Sequence, residues 1–527
     1  MLTRIALLSL SATVTALALG AGAYAPLAQA AAPAGYSAPS TTIPWLAAAG
    51  DADIEKAFAQ GKAEKKPVLV HWGAKWCPPC NQLKATLFNR QDFAERAKHF
   101  VAVNIDGDLP GAQKLGSRFK VRGYPTMILF SPDGVEITRL PGEVDAPMVM
   151  NVLQMGLAGG RPVKTVLAEA RAGKPVTANE WRMLAYYSWD TDEAQLVAAP
   201  ERPGLLAQLA AACPPAEADT AMRLLLKSLA ESDEGKGVKP DAALRDKVRK
   251  MLADPVATRA QMDVLVNAAA DVVRALAAQP GPERAQMVAA FDAALQRLQA
   301  DASLSRSDRM SALIGRVELA RMDLPKDTVQ PKLAPALTQQ VKSDVAKADA
   351  EITDGYERQA VITSAAHLLG QAGLWKESDA LLKANLSKSH SPYYLMSQLG
   401  SNAKKQGRTA DALDWYSQAF AKSEGPATRL QWGSSYLSAL VDMAPQDAKR
   451  IEQTASQLIT EAANQQGAFY ERSARSLQRV GQKLAVWNGK GEHKDVIQRL
   501  RQQITPVCAK LPAEGGQKAV CEGVIKA

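Results

Sequence analysis

The chain has 527 residues, of which 47% are hydrophobic and 22% charged. That is ordinary for a globular protein and leaves ample apolar material for several cores, about three domains' worth by length. The net charge of +9, from 63 basic and 54 acidic residues, is spread thinly without a long Lys/Arg block, so nucleic acid is not expected as a partner.

Met1 to Arg4 forms a short basic start, Ile5 to Gly20 is apolar, and Ala28-Gln29-Ala30 places small residues where a signal peptidase reads them. Residues 1–30 are therefore expected to be a signal peptide, cleaved before Ala31. No Cys stands at the end of the apolar run to carry a lipid anchor, and no later stretch is long and apolar enough to cross a bilayer, so stable membrane insertion is not expected. The mature chain is expected in an exported, oxidising compartment, a bacterial periplasm. Residues 31–44, rich in Ala, Pro, Ser and Thr, read as a flexible leader.

From 45 to 160 helix-like and strand-like segments alternate. Ile54 to Gln60 predicts a helix, Pro67 to Trp72 a strand, Pro79 to Leu87 a helix with a break toward Lys98, and Phe100 to Ile105 a second strand. Leu115 to Phe119 predicts a short helix. Thr126 to Phe130, the turn Ser131-Pro132-Asp133-Gly134 and Val135 to Leu140 predict a hairpin, and Ala146 to Leu157 a closing helix. The order implies a mixed sheet with helices on its faces. Beyond 160 strand signals nearly vanish and helical spacing recurs, punctuated by Pro280-Gly281-Pro282 and Gly425-Pro426. Residues 161–350 are expected to be an all-helical domain. Within 351–527, Met396, Leu399, Gly400 and Ala403, then Ala412, Tyr416 and Ala419, fall at the spacings of the two helices of a tetratricopeptide repeat. The small residues would let the helices approach while Tyr416 fills the groove, and Gly373 precedes Gly407 by 34 residues. The segment 356–463 thus resembles degenerate tetratricopeptide repeats.

The chemistry centres on Trp76-Cys77-Pro78-Pro79-Cys80, between a strand and a helix. A lone CxxC is open to three readings: half a zinc site, a structural disulfide or a redox pair. Zinc needs four ligands in a closed site, yet the chain has no second CxxC and His71 is the only nearby imidazole. A structural disulfide closing so short a loop would stabilise little. A helix N-terminus, by contrast, favours a thiolate at Cys77, and Cys80, one turn inside, can resolve a mixed disulfide. Trp76 would partly cover the pair. The site calls for no metal and no organic cofactor.

VLVHWGAK before WCPPC, VRGYPT after it, and the SPDG hairpin together resemble the thioredoxin family. LKATLF after the second Cys resembles the thioredoxin domains of thiol:disulfide interchange proteins. The expected fold class is an α/β thioredoxin fold over 45–160, followed by a large all-α helical-repeat region of tetratricopeptide-like solenoid type. The resemblance implies a thiol:disulfide oxidoreductase, a cis peptide before Pro125, and a Tyr124-Pro125 backbone presented to an extended substrate. Protein clients with thiols or disulfides, and a thiol-based electron donor or acceptor protein, would be its partners.

Two departures from that family carry expectations of their own. Pro78 and Pro79 lack N–H groups, so the Cys77 thiolate is less stabilised and the pair more reducing. His71 stands where many thioredoxins keep a buried Asp, and the family's Lys partner is replaced by Ala102; His71 would shuttle a proton to or from Cys80. Among the remaining cysteines, Cys508 and Cys521 are expected to close a structural disulfide, and Cys213 to be a buried thiol. Three functions compete: a reductase or interchange enzyme, a disulfide oxidase or isomerase, and a binding or chaperone module whose thioredoxin domain only docks partners. The helical region would recruit substrates or partners beside the thioredoxin site, because helical stacks present extended concave surfaces, or else serve as a passive scaffold or oligomerisation element.

Overall fold

A computed structural model describes residues 42–142, 144–192, 195–232 and 237–525. The expected signal peptide and most of the leader lie outside the described residues. Five strands form one sheet: β1 (Leu46–Ala47), β2 (Val68–Gly73), β3 (Val101–Asp106), β4 (Thr126–Phe130) and β5 (Glu136–Leu140), in the order β1-β3-β2-β4-β5. β3 runs parallel to β1 and β2, whereas β4 is antiparallel to β2 and β5. The helices are α1 (Asp51–Glu64), α2 (Pro78–Thr86), α3 (Gln91–Ala97), α4 (Ala112–Arg118) and α5 (Ala146–Leu157). The predicted hairpin and closing helix are present. β1 had escaped the sequence reading because two residues carry no periodicity.

β2 is buried along its whole length because both faces of the sheet are covered, and the period of two sorts its side chains. Val68, Val70 and Trp72 pack with Ile54 and Ala57 of α1 and Leu115 of α4. Leu69, on the opposite face, packs with Leu83 of α2, Phe93 of α3 and Val149 and Leu153 of α5. That second core does not stop at residue 160. It continues through Val163, Val166, Trp181, Leu184, Leu205 and Leu209 of the next helices.

Edge strand β5 is tied to the same helices by Arg139, which is fully buried. Its guanidinium donates to the carbonyls of Phe119 (2.5 Å), Lys120 (2.8 Å) and Thr191 (3.2 Å) and to Glu136 (2.9 Å). Three backbone carbonyls and one carboxylate satisfy a charge that would otherwise be costly to bury.

From Val163 onward the described residues form helices joined by turns and loops, with no strand apart from the isolated bridge of Val121 with Asp192. Helices Gly355–Gln371 and Trp375–Asn385 form one hairpin, and Pro392–Lys405 and Thr409–Lys422 the next. Gly373 and Gly407 terminate the first helix of each hairpin at φ +76° and +72°, the left-handed conformation that glycine adopts without cost. A Cβ at Gly400 would meet the Tyr416 ring at 3.0 Å, so the absence of a side chain there sets how closely the second pair of helices packs.

Candidate active site

β2 delivers the chain to the N-terminus of α2, and Cys77 is the N-cap. Pro78 and Pro79 occupy the first two helical positions, where a missing N–H costs nothing and a fixed φ suits the helix. Cys77 and Cys80 are joined in a disulfide with their Cα atoms 5.3 Å apart. The first amide the helix can offer is that of Cys80, and it donates to Cys77 Sγ at 3.2 Å. The side-chain amide of buried Asn81 donates to Cys77 O (2.8 Å) and Lys75 O (2.9 Å), holding the loop ahead of the cysteines. Cys77 Sγ lies 3.7 Å from the carbonyl oxygen of Tyr124, and the Tyr124–Pro125 peptide is cis. Tyr124 OH, accepting from Gln113 at 3.2 Å, occupies space that a side chain at Gly107 would need, since a Cβ there would fall 2.2 Å from it.

His71 sits on β2 beneath the pair. Its Nδ1 faces Asn104 Oδ1 at 2.8 Å. A carbonyl oxygen only accepts, so Nδ1 carries the proton and Nε2 keeps a lone pair. Nε2 is buried without a partner. A Cβ built at Gly73 would lie 3.4 Å from that nitrogen and 3.6 Å from Cys80 Sγ, which places the imidazole and the inner sulfur around one small residue. Burial lowers the His71 pKa to about 4, with the Asn104 hydrogen bond opposing the shift and the charge of Lys84 reinforcing it. The unfolded chain binds this proton below about pH 6.5, while the folded protein refuses it until about pH 4. The resulting stability is complete above pH 6.5 and lost as pH falls toward 4, by roughly 3 kcal/mol. Denaturant unfolding at pH 7 and pH 4.5 should show this acid-side loss in the native protein and a smaller one in His71→Leu.

The helical region closes over this face. Trp76 Nε1 donates to Thr428 Oγ1 at 2.8 Å, and its ring stacks on Tyr394 and meets Trp432 edge-on. Arg472 inserts between the Trp76 and Tyr124 rings, 5.3 and 5.4 Å from their centroids, and pairs with Asp108 at 2.5 Å. Asp108 also accepts from the Thr428 amide at 2.8 Å. On the other flank Gln359 donates to Trp76 O (3.2 Å), His390 Nε2 faces Lys75 O (3.0 Å), and Gln82 donates to Asp308 (2.8 Å). Trp76 is thus anchored to the helical region by Thr428, Tyr394 and Arg472, which satisfy its N–H and both sides of its ring, while it also packs against the cluster of Ala74, Cys77 and Cys80. Cys77 is 2% exposed and Cys80 fully buried.

A model of the thioredoxin-like domain matches residues 54–156. Residues 54–156 are a thioredoxin-like domain. Over 99 residues the chain is 34% identical to the thiol:disulfide interchange protein DsbD of Pseudomonas fluorescens, a match covering 18% of this chain and 17% of that protein. DsbD 2 of Pseudomonas aeruginosa is 30% identical over 106 residues, 19% and 18% of the two chains. A thioredoxin of Mycolicibacterium smegmatis is 36% identical over 77 residues, 15% of this chain and 66% of that one. The chain therefore spans less than a fifth of the interchange proteins it matches. Among solved structures, a DsbH oxidoreductase aligns with 22% of this chain and 86% of its own at 19% identity and a TM-score of 0.20.

Between the thioredoxin-like domain and the helical region a cleft of about 370 Å³ remains. Cys77, Pro78, Pro79 and Tyr124 line it on one side, and Tyr394 and Arg472 on the other. The remaining cysteines lie apart from it. Cys508 and Cys521 are bonded and buried, joining helix Lys494–Ala509 to Gln517–Glu522. Cys213 is a free, buried thiol at the end of helix Arg202–Ala212, facing Glu217 O, and burial pushes its pKa up to about 11. Such a thiol is a poor nucleophile. Asn81 and Arg472 were missed in the sequence. Asn81 is a polar residue on the buried side of α2, a signal that could have been noticed. Arg472 opens an amphipathic helix and looks like any solvated charge.

No helix among the described residues is long and apolar enough to cross a membrane.

Proposed function

We propose that this chain is an exported, periplasmic thiol:disulfide oxidoreductase acting through Cys77 and Cys80. The observation that carries this reading is the cysteine pair at the α2 N-terminus, with the Cys80 amide on Cys77 Sγ and the outer sulfur facing both the Tyr124-Pro125 loop and the cleft. In the dithiol state Cys77, stabilised by the helix terminus and that one amide, is the attacking thiolate. Cys80 then attacks Cys77 Sγ to resolve the mixed disulfide, and His71 Nε2, neutral above its low pKa, takes the Cys80 proton. Tyr124 and Pro125 present backbone to the reactant, and Trp76 forms the cleft's supporting wall.

The helical hairpins with glycines 34 residues apart support tetratricopeptide-like repeats within 351–527, beside a helical domain at 161–350 and the thioredoxin-like domain at 45–160. Protein clients and a thiol-based donor or acceptor protein are the proposed partners.

Trapping with Cys80→Ser tests the reading. The variant should accumulate mixed disulfides that vanish when Cys77 is also replaced. A binding or chaperone module would bind clients without forming them. The direction of exchange follows from the two prolines. With one amide on the outer sulfur the thiolate is weakly stabilised, which favours the disulfide and makes the pair reducing. A potential near about −270 mV supports a reductase, whereas one near about −120 mV supports an oxidase.

A further inference from the structure

The cleft is charged as well as narrow. Arg122, Arg472, Arg475 and Arg479 line it against a single carboxylate, Glu471. Two of the four arginines are engaged: Arg472 pairs with Asp108 at 2.5 Å, and Arg475 pairs with Glu471 at 2.8 Å. Arg122 and Arg479 are exposed and make no ion pair among the described residues. Because the walls on both sides are protein, field lines from these two guanidinium groups are focused into the space in front of Cys77. A volume of about 370 Å³ is in the range that holds a small ligand or a few residues of extended chain.

Resting on the oxidoreductase reading above, we propose that the redox partner entering this cleft is a short, unfolded, carboxylate-bearing disulfide, with its acidic groups on Arg122 and Arg479. The Cys77 thiolate attacks one sulfur of that disulfide. A Cys77–S bond forms, the partner's S–S bond breaks, and one partner thiolate leaves and takes up a proton. The Cys80 thiolate, its proton passed to His71 and on to solvent, attacks Cys77 Sγ and expels the second partner thiolate. Two electrons have then moved from the dithiol to the partner, leaving the Cys77–Cys80 disulfide and two partner thiols.

The test uses the full chain, reduced beforehand with dithiothreitol and freed of it. Two disulfide-linked peptides of equal length are compared, their cysteines flanked by Glu in one and by Lys in the other. At low salt the Glu peptide should oxidise the dithiol about tenfold faster. Arg122→Gln with Arg479→Gln should bring the two rates together, as should high salt, which screens exposed charges. Equal rates with the native chain, or faster reaction of the Lys peptide, would overturn the charge selection while leaving the oxidoreductase reading intact. If neither peptide nor glutathione disulfide oxidises the dithiol, the oxidoreductase reading itself fails. A folded protein disulfide reacting as fast as the Glu peptide would overturn the size restriction.

Discussion

Exchange of Cys77 for Ser should reduce disulfide exchange to the uncatalysed level, while the Cys80→Ser protein still completes one attack and stalls. The asymmetry follows from position. Cys77 caps α2 and lines the cleft, whereas Cys80 is fully buried behind it. A serine hydroxyl at neutral pH is almost wholly protonated, and the nucleophile in this chemistry is the anion. Stopped-flow oxidation of the reduced protein measures both variants. Comparable loss from the two would mean that the inner sulfur has an equal share in the first attack.

The largest effect on stability is expected far from the sulfurs. Arg223, wholly buried in helix Ala218–Ala230, forms a bidentate pair with Asp263 at 2.7 and 2.6 Å, and Asp263 is itself almost fully buried. The guanidinium also donates to Ala185 O at 3.1 Å and lies over the Tyr186 ring at 3.9 Å. Replacing Arg223 with Met keeps the volume but strands a buried carboxylate, at a cost of about 3–5 kcal/mol. The arginine holds Asp263 below the usual carboxylate range against the opposing effect of burial, so its removal should let Asp263 take up a proton nearer neutrality. Equilibrium urea unfolding should show the loss in Arg223→Met and a partial recovery when Asp263→Leu is added. Full additivity of the two changes would argue against the pair.

The thioredoxin-like domain was legible because its signals are local. WCPPC, the Ser131–Gly134 turn with Gly134 at φ +79°, and the apolar run Thr126–Phe130 each act over a few residues. What the sequence hid is long-range. Lys75 and Glu424 pair across 349 positions and Gln359 reaches Trp76 O across 283. No periodicity connects such residues: Lys75, Trp76 and Glu424 lie in turns and loops, and Gln359 is a buried polar residue whose helix spacing does not name its partner. Trp76 was half legible: it packs against the cysteines it adjoins in sequence, while its ties to Thr428 and Arg472, which make its ring a joint between two parts of the chain, have no local signal.

That joint also has an order in time. Asp108 is separated from Thr428 by 320 positions and from Arg472 by 364, so the thioredoxin-like domain is complete long before its opposite wall exists. A nascent or truncated copy that ends before Tyr394 lacks the opposite wall of the cleft altogether. The charge selection proposed above needs both walls, so it would be acquired last, and removal of the helical wall by proteolysis should relax it without touching either cysteine.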